Sequence, residues 1–142
     1  MSSHRPLTEV HPATTPQVVV ADPNPWIRRE LSLQLQPYLA ASAILQARSP
    51  TEVLTHIADP QCRMLVIDPC MPTPGQTDGL PLLRHVFGLR PDLHIFVLAM
   101  QPQQLLRDRT FPRQIAHVHD KHIASAWLAP FIAQALMQYP PA

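Results

Sequence analysis

Short apolar runs alternate along the chain with stretches whose apolar residues recur every four positions. The runs predict five β-strands, at QVVVAD (17–22), ASAILQA (41–47), RMLVID (63–68), HIFVLAM (94–100) and IAHVHD (115–120). The first is uniformly apolar, which is typical of a strand covered on both faces, whereas the last alternates. Each run is followed by a segment that does not continue the strand pattern.

Helical periodicity follows each of these strands. Ile27, Leu31 and Leu35 repeat every four residues within NPWIRRELSLQLQPYLA, and three apolar residues do the same within SAWLAPFIAQALMQ. Three more helices are predicted at SPTEVLTHI (49–57), DGLPLLRHVFGL (78–89) and QPQQLLRDRTF (101–111), the last of them short. The sequence therefore predicts five β–α units.

Capping residues predict where the second helix begins and where the third helix ends. Ser49 is placed to cap the second helix, Pro50 suits its first position, and Glu52 completes an S-x-x-E capping box. Gly88 and the nearby Pro91 predict the end of the third helix.

Repeated β–α alternation predicts an α/β fold, a five-stranded doubly wound parallel sheet of the flavodoxin-like type. In such sheets, chemistry collects at the carboxyl ends of the strands. The predicted strand ends carry Asp22, Asp68, Ala99 and Lys121. We therefore expect two carboxylates and one amine to meet at one edge of the sheet.

Composition narrows the class of protein. The 142 residues suit one domain, 46% of them are hydrophobic, and the formal net charge is +1, which gives no electrostatic basis for direct binding of nucleic acid or a membrane surface. The N-terminal MSSHRPLTEVHPATTP lacks the apolar region of a secretory signal, so a cytoplasmic protein is expected. The 18 prolines mostly separate apolar segments, as turn residues do.

Domain boundaries follow from the same pattern. Residues 1–16 are polar and proline-broken, which predicts a flexible N-terminal tail. The domain is predicted over residues 17–138, and residues 139–142 form the C-terminal end or the start of a linker.

Four segments carry a resemblance to a known family: VVVADPNP, LVIDPCMP with DGLPLL, IFVLAM, and HDK. Together they resemble the receiver domain of bacterial two-component response regulators. ADPNPWIRREL and MPTPGQTDGL are similar to the LuxR/NarL-type branch in particular. The resemblance spans residues 17–138 and implies the (βα)5 receiver fold and a role in signal transduction and transcription regulation. The sequence contains no G-x-G-x-x-G, P-loop or G-x-S-x-G motif, so no motif of these kinds predicts an enzyme.

The resemblance also implies roles for the residues at the strand ends. Asp68 would accept a phosphoryl group from a histidine kinase. Asp22 and Asp68, with the backbone carbonyl of Cys70, would hold Mg²⁺, and Lys121 would pair with the phosphoryl oxygens.

Two positions depart from the family pattern. Pro23 replaces the second of two adjacent acids, so Mg²⁺ is expected to bind weakly. Ala99 replaces the Thr or Ser whose hydroxyl bonds to the phosphoryl group. The leading hypothesis is an atypical receiver that acts by protein–protein interaction without phosphorylation. The alternative is a conventional phosphoacceptor, with Asp68 phosphorylated.

Simpler interpretations of these residues stay open. Asp68 and Lys121 would also make a structural ion pair at the edge of the sheet. His117 and His119 lie on one strand face with His122 nearby, where a zinc site is the less favoured interpretation.

The family's usual dimer surface would fall at about residues 102–137. Candidate contacts there are Leu105, Leu106, Trp127 and Phe131. The implied partner is a second copy or another regulator. LuxR/NarL-type regulators carry a helix-turn-helix domain after the receiver, and this chain ends at MQYPPA. The sequence leaves open whether such a domain belongs to the protein.

Overall fold

The computed structural model describes residues 16–71, 79–122 and 128–137. The strands are β1 (Gln17–Ala21), β2 (Ile44–Ala47), β3 (Cys62–Ile67), β4 (His94–Ala99) and β5 (His117–Asp120). The helices are α1 (Pro25–Leu35), α2 (Pro50–Ile57), α3 (Leu80–Leu89), α4 (Pro102–Arg107) and α5 (Leu128–Met137), with a 3₁₀ turn at Ala41–Ala43. The predicted tail and the last residues, 138–142, lie outside the described part.

The five strands form one parallel sheet in the order β2-β1-β3-β4-β5. Each strand leads into a helix before the next strand, so all connections are crossovers. The predicted α/β fold with a five-stranded, doubly wound parallel sheet is confirmed.

The core lies on both faces of this sheet. One layer packs α2, α3 and α4 against the sheet through buried residues that include Val53, Leu83 and Leu105. The other layer packs α1 and α5 against the opposite face through residues such as Leu35 and Ile132. None of the described helices has the length and apolarity that a membrane span requires.

The start of α2 follows the prediction, with one correction. The Ser49 hydroxyl accepts a hydrogen bond from the backbone N–H of Glu52 at 3.2 Å. The Glu52 carboxylate, however, accepts from the backbone N–H of Arg48 at 2.9 Å, rather than from that of Ser49. The long Glu side chain therefore caps one residue earlier than a capping box requires.

The end of α3 agrees with the prediction, since the helix ends at Leu89, between Gly88 and Pro91. Gly88 lies within the helix and does not adopt left-handed backbone geometry, and the helix continues to Leu89. The Arg90 backbone N–H donates to the Val86 carbonyl at 2.9 Å. The Arg90 side chain binds several groups beyond the helix, and these tertiary contacts, rather than a glycine, mark the end of α3.

Gly79 is required at the start of α3 by close packing. A Cβ atom at this position would overlap Pro69, both its side chain and its backbone carbonyl. Because Pro69 directly follows Asp68, this contact fixes the chain immediately after the candidate phosphoacceptor against the start of α3.

Candidate functional site

The carboxyl ends of four strands meet, as predicted, and carry Asp22, Asp68, Ala99 and Lys121. Backbone hydrogen bonds extend the sheet into these positions. The N–H of Asp68 donates to the Ala21 carbonyl at 2.9 Å, and the N–H of Lys121 donates to the Ala99 carbonyl at 2.9 Å. The sheet itself therefore sets the separation of the functional side chains.

One ammonium group contacts both carboxylates. Lys121 Nζ lies 2.5 Å from Asp68 Oδ2 and 2.7 Å from Asp22 Oδ2. Both aspartates are buried, at 1% and 4% exposure for Asp22 and Asp68. Burial alone would lower the pKa of Lys121, but the two carboxylates outweigh it and raise that pKa, so the amine is charged at neutral pH. We call these three residues the acidic triad.

Backbone amides hold the other oxygen of each carboxylate. Asp22 Oδ1 accepts from the N–H of Asn24 at 2.8 Å, and Asp68 Oδ1 accepts from the N–H of Cys70 at 3.0 Å. The Arg28 side chain donates to the Asp22 carbonyl at 2.7 Å. Arg28 and Asn24 were missed by the sequence reasoning; the side chain of Asn24 also caps α1. The first turn of α1 thus fixes Asp22 in place.

The donor set fits Mg²⁺, which prefers oxygen ligands. Asp22 Oδ2 is buried and, within the described part, has the ion contact with Lys121 but no aligned hydrogen bond. Asp22 and Asp68, with the Cys70 carbonyl, would hold the ion, which would neutralise charge on a phosphoryl group. Pro23, next to Asp22, has no side-chain oxygen to offer an ion.

Neither a known protein family nor a curated protein matches the amino-acid sequence. Among solved structures, the response regulator RcsB of Salmonella typhimurium superposes with a TM-score of 0.69 at 21% identity, over 88% of this chain. The chain has the fold of a receiver domain.

Two further solved structures extend this likeness. The receiver domain of RcsB from Salmonella enterica serovar Typhimurium, with phosphomimetic BeF₃⁻, has a TM-score of 0.68 and 20% identity, covering 90% of this chain and 92% of that one. TrrA of Thermotoga maritima, in complex with Mg²⁺ and BeF, has a TM-score of 0.64 and 18% identity, covering 84% and 98%. The chain spans 61% of the longer RcsB structure.

Restoring the second acid of the receiver pattern should strengthen Mg²⁺ binding. The Pro23→Asp variant adds a carboxylate beside Asp22 at a half-buried position, so we expect the affinity for Mg²⁺ to rise about tenfold. Isothermal titration calorimetry with MgCl₂ measures the change. Pro23→Asn, which changes the backbone similarly without adding charge, is the matched control. Equal affinities in the two variants would show that position 23 does not face the ion.

Ala99 presents only a methyl group at the end of β4, where it is buried. A cavity of about 380 Å³ lies beside it. Its lining residues come from the loop after β3, from α3, and from the segment leading through α4: Cys70, Leu80, Ala99, Met100, Gln101, Gln104, Leu105 and Asp108. The cavity therefore lies between the end of β4 and α4, and Ala99 offers it no hydroxyl group.

The two cysteines are free thiols in different surroundings. Cys62 is buried in β3, and burial raises the pKa of its thiol to about 11. Cys70 is exposed, two residues after Asp68. The two cysteines do not form a disulfide with each other.

The described residues contain no group of three or more His, Cys, Asp or Glu that could hold a metal ion. His122 contacts the Asp120 carboxylate, at 3.1 Å from its ring nitrogen and 2.8 Å from its backbone N–H. His117 and His119 instead pack their rings against other aromatic side chains. The zinc interpretation therefore has no support in the described part.

The candidate interface residues divide into three groups. Leu106 is 55% exposed on α4, and Phe131 is 38% exposed on α5. Leu105 is buried in the core, so its side chain is not available to a partner. Trp127 lies outside the described residues.

Proposed function

We propose that this chain is an atypical receiver module that acts in signal transduction and transcription regulation through protein–protein contacts, independently of phosphorylation. Its partner would be a second copy or another regulator. The receiver fold, shared with response regulators such as RcsB, supports the signalling role. The surroundings of Asp68 support the absence of a phosphoryl switch.

The observation that carries this proposal is the methyl group of Ala99 beside a cavity. A phosphoryl switch needs a group that bonds to the new charge and moves with it. Ala99 has no donor, and it lines a cavity together with Gln104 and Leu105 of α4. A charge placed on Asp68 would therefore have no side-chain hydrogen bond from this position through which to shift α4.

The proposed contact surface consists of α4, β5 and α5. Leu106 of α4 and Phe131 of α5 are apolar side chains exposed to solvent on these elements, and exposed apolar surface can mark an interaction site. Because β5 is the edge strand of the sheet, this surface is not covered by a further strand.

A conventional phosphoacceptor is the second candidate. The convergence of Asp22, Asp68 and Lys121 on one point favours it, because this is the charge grouping that phosphoryl transfer needs. Asp68 would then attack the phosphorus of a donor phosphohistidine, forming an acyl phosphate and releasing the histidine.

Adding Mg²⁺ and BeF₃⁻ to the full chain distinguishes the two candidates. We expect no change in oligomeric state by analytical ultracentrifugation, and no amide NMR shifts in α4, because Ala99 cannot relay the new charge to that helix. Asp68→Asn, which keeps the shape of the side chain, is the control. BeF₃⁻-dependent dimerisation, or shifts in α4 that Asp68→Asn abolishes, would favour the conventional phosphoacceptor.

A further inference from the structure

Five aromatic rings from three elements pack together on the face of the sheet that α5 covers. Three are imidazoles, from His94, His117 and His119, and two are phenyl rings, from Phe96 and Phe131. We call the three histidines the imidazole cluster. The ring centroid of His117 lies 4.3 Å from that of Phe96, 5.1 Å from that of His94 and 5.5 Å from that of Phe131. His117 is therefore central.

The sheet register creates this arrangement. Phe96 pairs with His117 in the parallel ladder between β4 and β5. Residues two apart in a strand share a face, so His94 lies beside Phe96 and His119 beside His117. The Phe131 ring from α5 stands nearly perpendicular to the Phe96 and His117 rings, at 88° and 80°. The cluster thus forms the contact between α5 and the edge of the sheet.

The elements around the cluster bring apolar groups to this face. The described residues of α5, LAPFIAQALM, carry no ionisable side chain. On the neighbouring β3, Met64 and Val66 pair with His94 and Phe96. Along β4 and β5 the other ionisable residue is Asp120, which strand alternation places on the opposite face and whose carboxylate binds His122. A proton added to the cluster would therefore place a charge among aromatic rings and near a second imidazole.

We propose that the imidazole cluster makes the packing of α5 on the sheet sensitive to acid: the three rings are neutral when α5 is docked, and their protonation as the pH falls weakens that docking. The device acts within the fold, whichever protein binds the chain. Since α5 belongs to the proposed contact surface, acidification would alter that surface as well.

The pKa values of the three imidazoles are all lowered, as their packing among aromatic rings leads us to expect. Burial lowers the pKa of His117, and burial together with the neighbouring His117 lowers the pKa of His94 and of His119. The unfolded chain, where imidazoles titrate near about 6.5, then binds protons more readily than the folded chain. This contribution to stability is complete above about pH 6.5 and is lost as the pH falls through the folded-state values.

Urea unfolding of the full chain between pH 7.5 and pH 5 tests the proposal. We expect the unfolding constant of the wild type to rise about tenfold more over this range than that of His117→Phe, in which the central ring cannot be protonated. His85→Gln, which removes an exposed imidazole on α3, is the control and should behave as the wild type. Parallel losses of stability in wild type and His117→Phe would overturn the proposal.

A titration of the wild-type imidazole protons by NMR keeps the test decisive if His117→Phe does not fold. We expect three of the eight histidines to titrate below about pH 6.5 and the amides of α5 to shift over the same range. Ordinary titration of all the histidines, or α5 amides that do not respond to pH, would overturn the proposal.

Discussion

Replacing Lys121 by methionine should lower the free energy of unfolding by about 3–5 kcal/mol, the range expected when a buried ion pair loses one partner. The Lys121 ammonium group contacts both Asp22 and Asp68, and its side chain is 10% exposed. Without it, two buried carboxylates would face each other with no cation between them. Urea denaturation followed by circular dichroism at pH 7 measures the loss.

Two comparisons separate this electrostatic effect from simple loss of packing. The loss should be smaller in Lys121→Met/Asp68→Asn, because one of the two negative charges is then removed. Adding Mg²⁺ should restore part of the stability of Lys121→Met, because the ion would replace the missing positive charge. A Lys121→Met variant within about 1 kcal/mol of the wild type, with no response to Mg²⁺, would show that Lys121 does not neutralise the site.

Replacing Arg90 by alanine should cost about 2–4 kcal/mol of folding free energy, because one guanidinium joins three parts of the chain. Its Nη1 donates to the Ile57 carbonyl at 2.5 Å and to the Asp59 carbonyl at 3.1 Å, at the end of α2. Its Nη2 donates to the Cys62 carbonyl at 2.8 Å, where β3 begins. The side chain is 15% exposed, so these carbonyls would lose a donor that water replaces poorly.

Chemical or thermal denaturation of Arg90→Ala provides the measurement, with two controls. Asp92→Asn removes the exposed carboxylate that contacts Arg90, and it should cost less than about 1 kcal/mol. Arg90→Lys should recover only part of the loss, because an ammonium group lacks the planar fork that reaches separate carbonyls. If Arg90→Ala cost no more than Asp92→Asn, the bonds to the carbonyls would contribute little.

The sequence was sufficient to predict the architecture because the strands are short apolar runs that a two-sided sheet must bury. Val18, Val19 and Val20, for example, are fully buried. The meeting of Asp22, Asp68 and Lys121 also followed from topology alone, since the carboxyl ends of parallel strands lie together. That one ammonium group contacts both carboxylates depends on side-chain distances, which the sequence does not contain.

What the sequence analysis did not predict depends on contacts between elements that are distant in the sequence. Leu105 and Leu106 are adjacent in a helix of six residues, which is too short for its periodicity to show which one faces the core. Gly88 and Pro91 did predict the end of α3 at Leu89, but the contacts that the Arg90 side chain makes there were not visible in the sequence. Regular spacing of His94 and Phe96, and of His117 and His119, was visible in the sequence, yet only the sheet register places the two pairs side by side.

The contrast between the two thiols has a practical consequence. A maleimide reagent reacts with accessible thiolate, so near neutral pH it should modify Cys70 and leave the buried Cys62, with its raised pKa, intact. A fluorophore or spin label would then be attached at a single position, two residues from Asp68, without any engineered cysteine. The unmodified chain thus carries its own attachment point for a spectroscopic reporter beside the acidic triad.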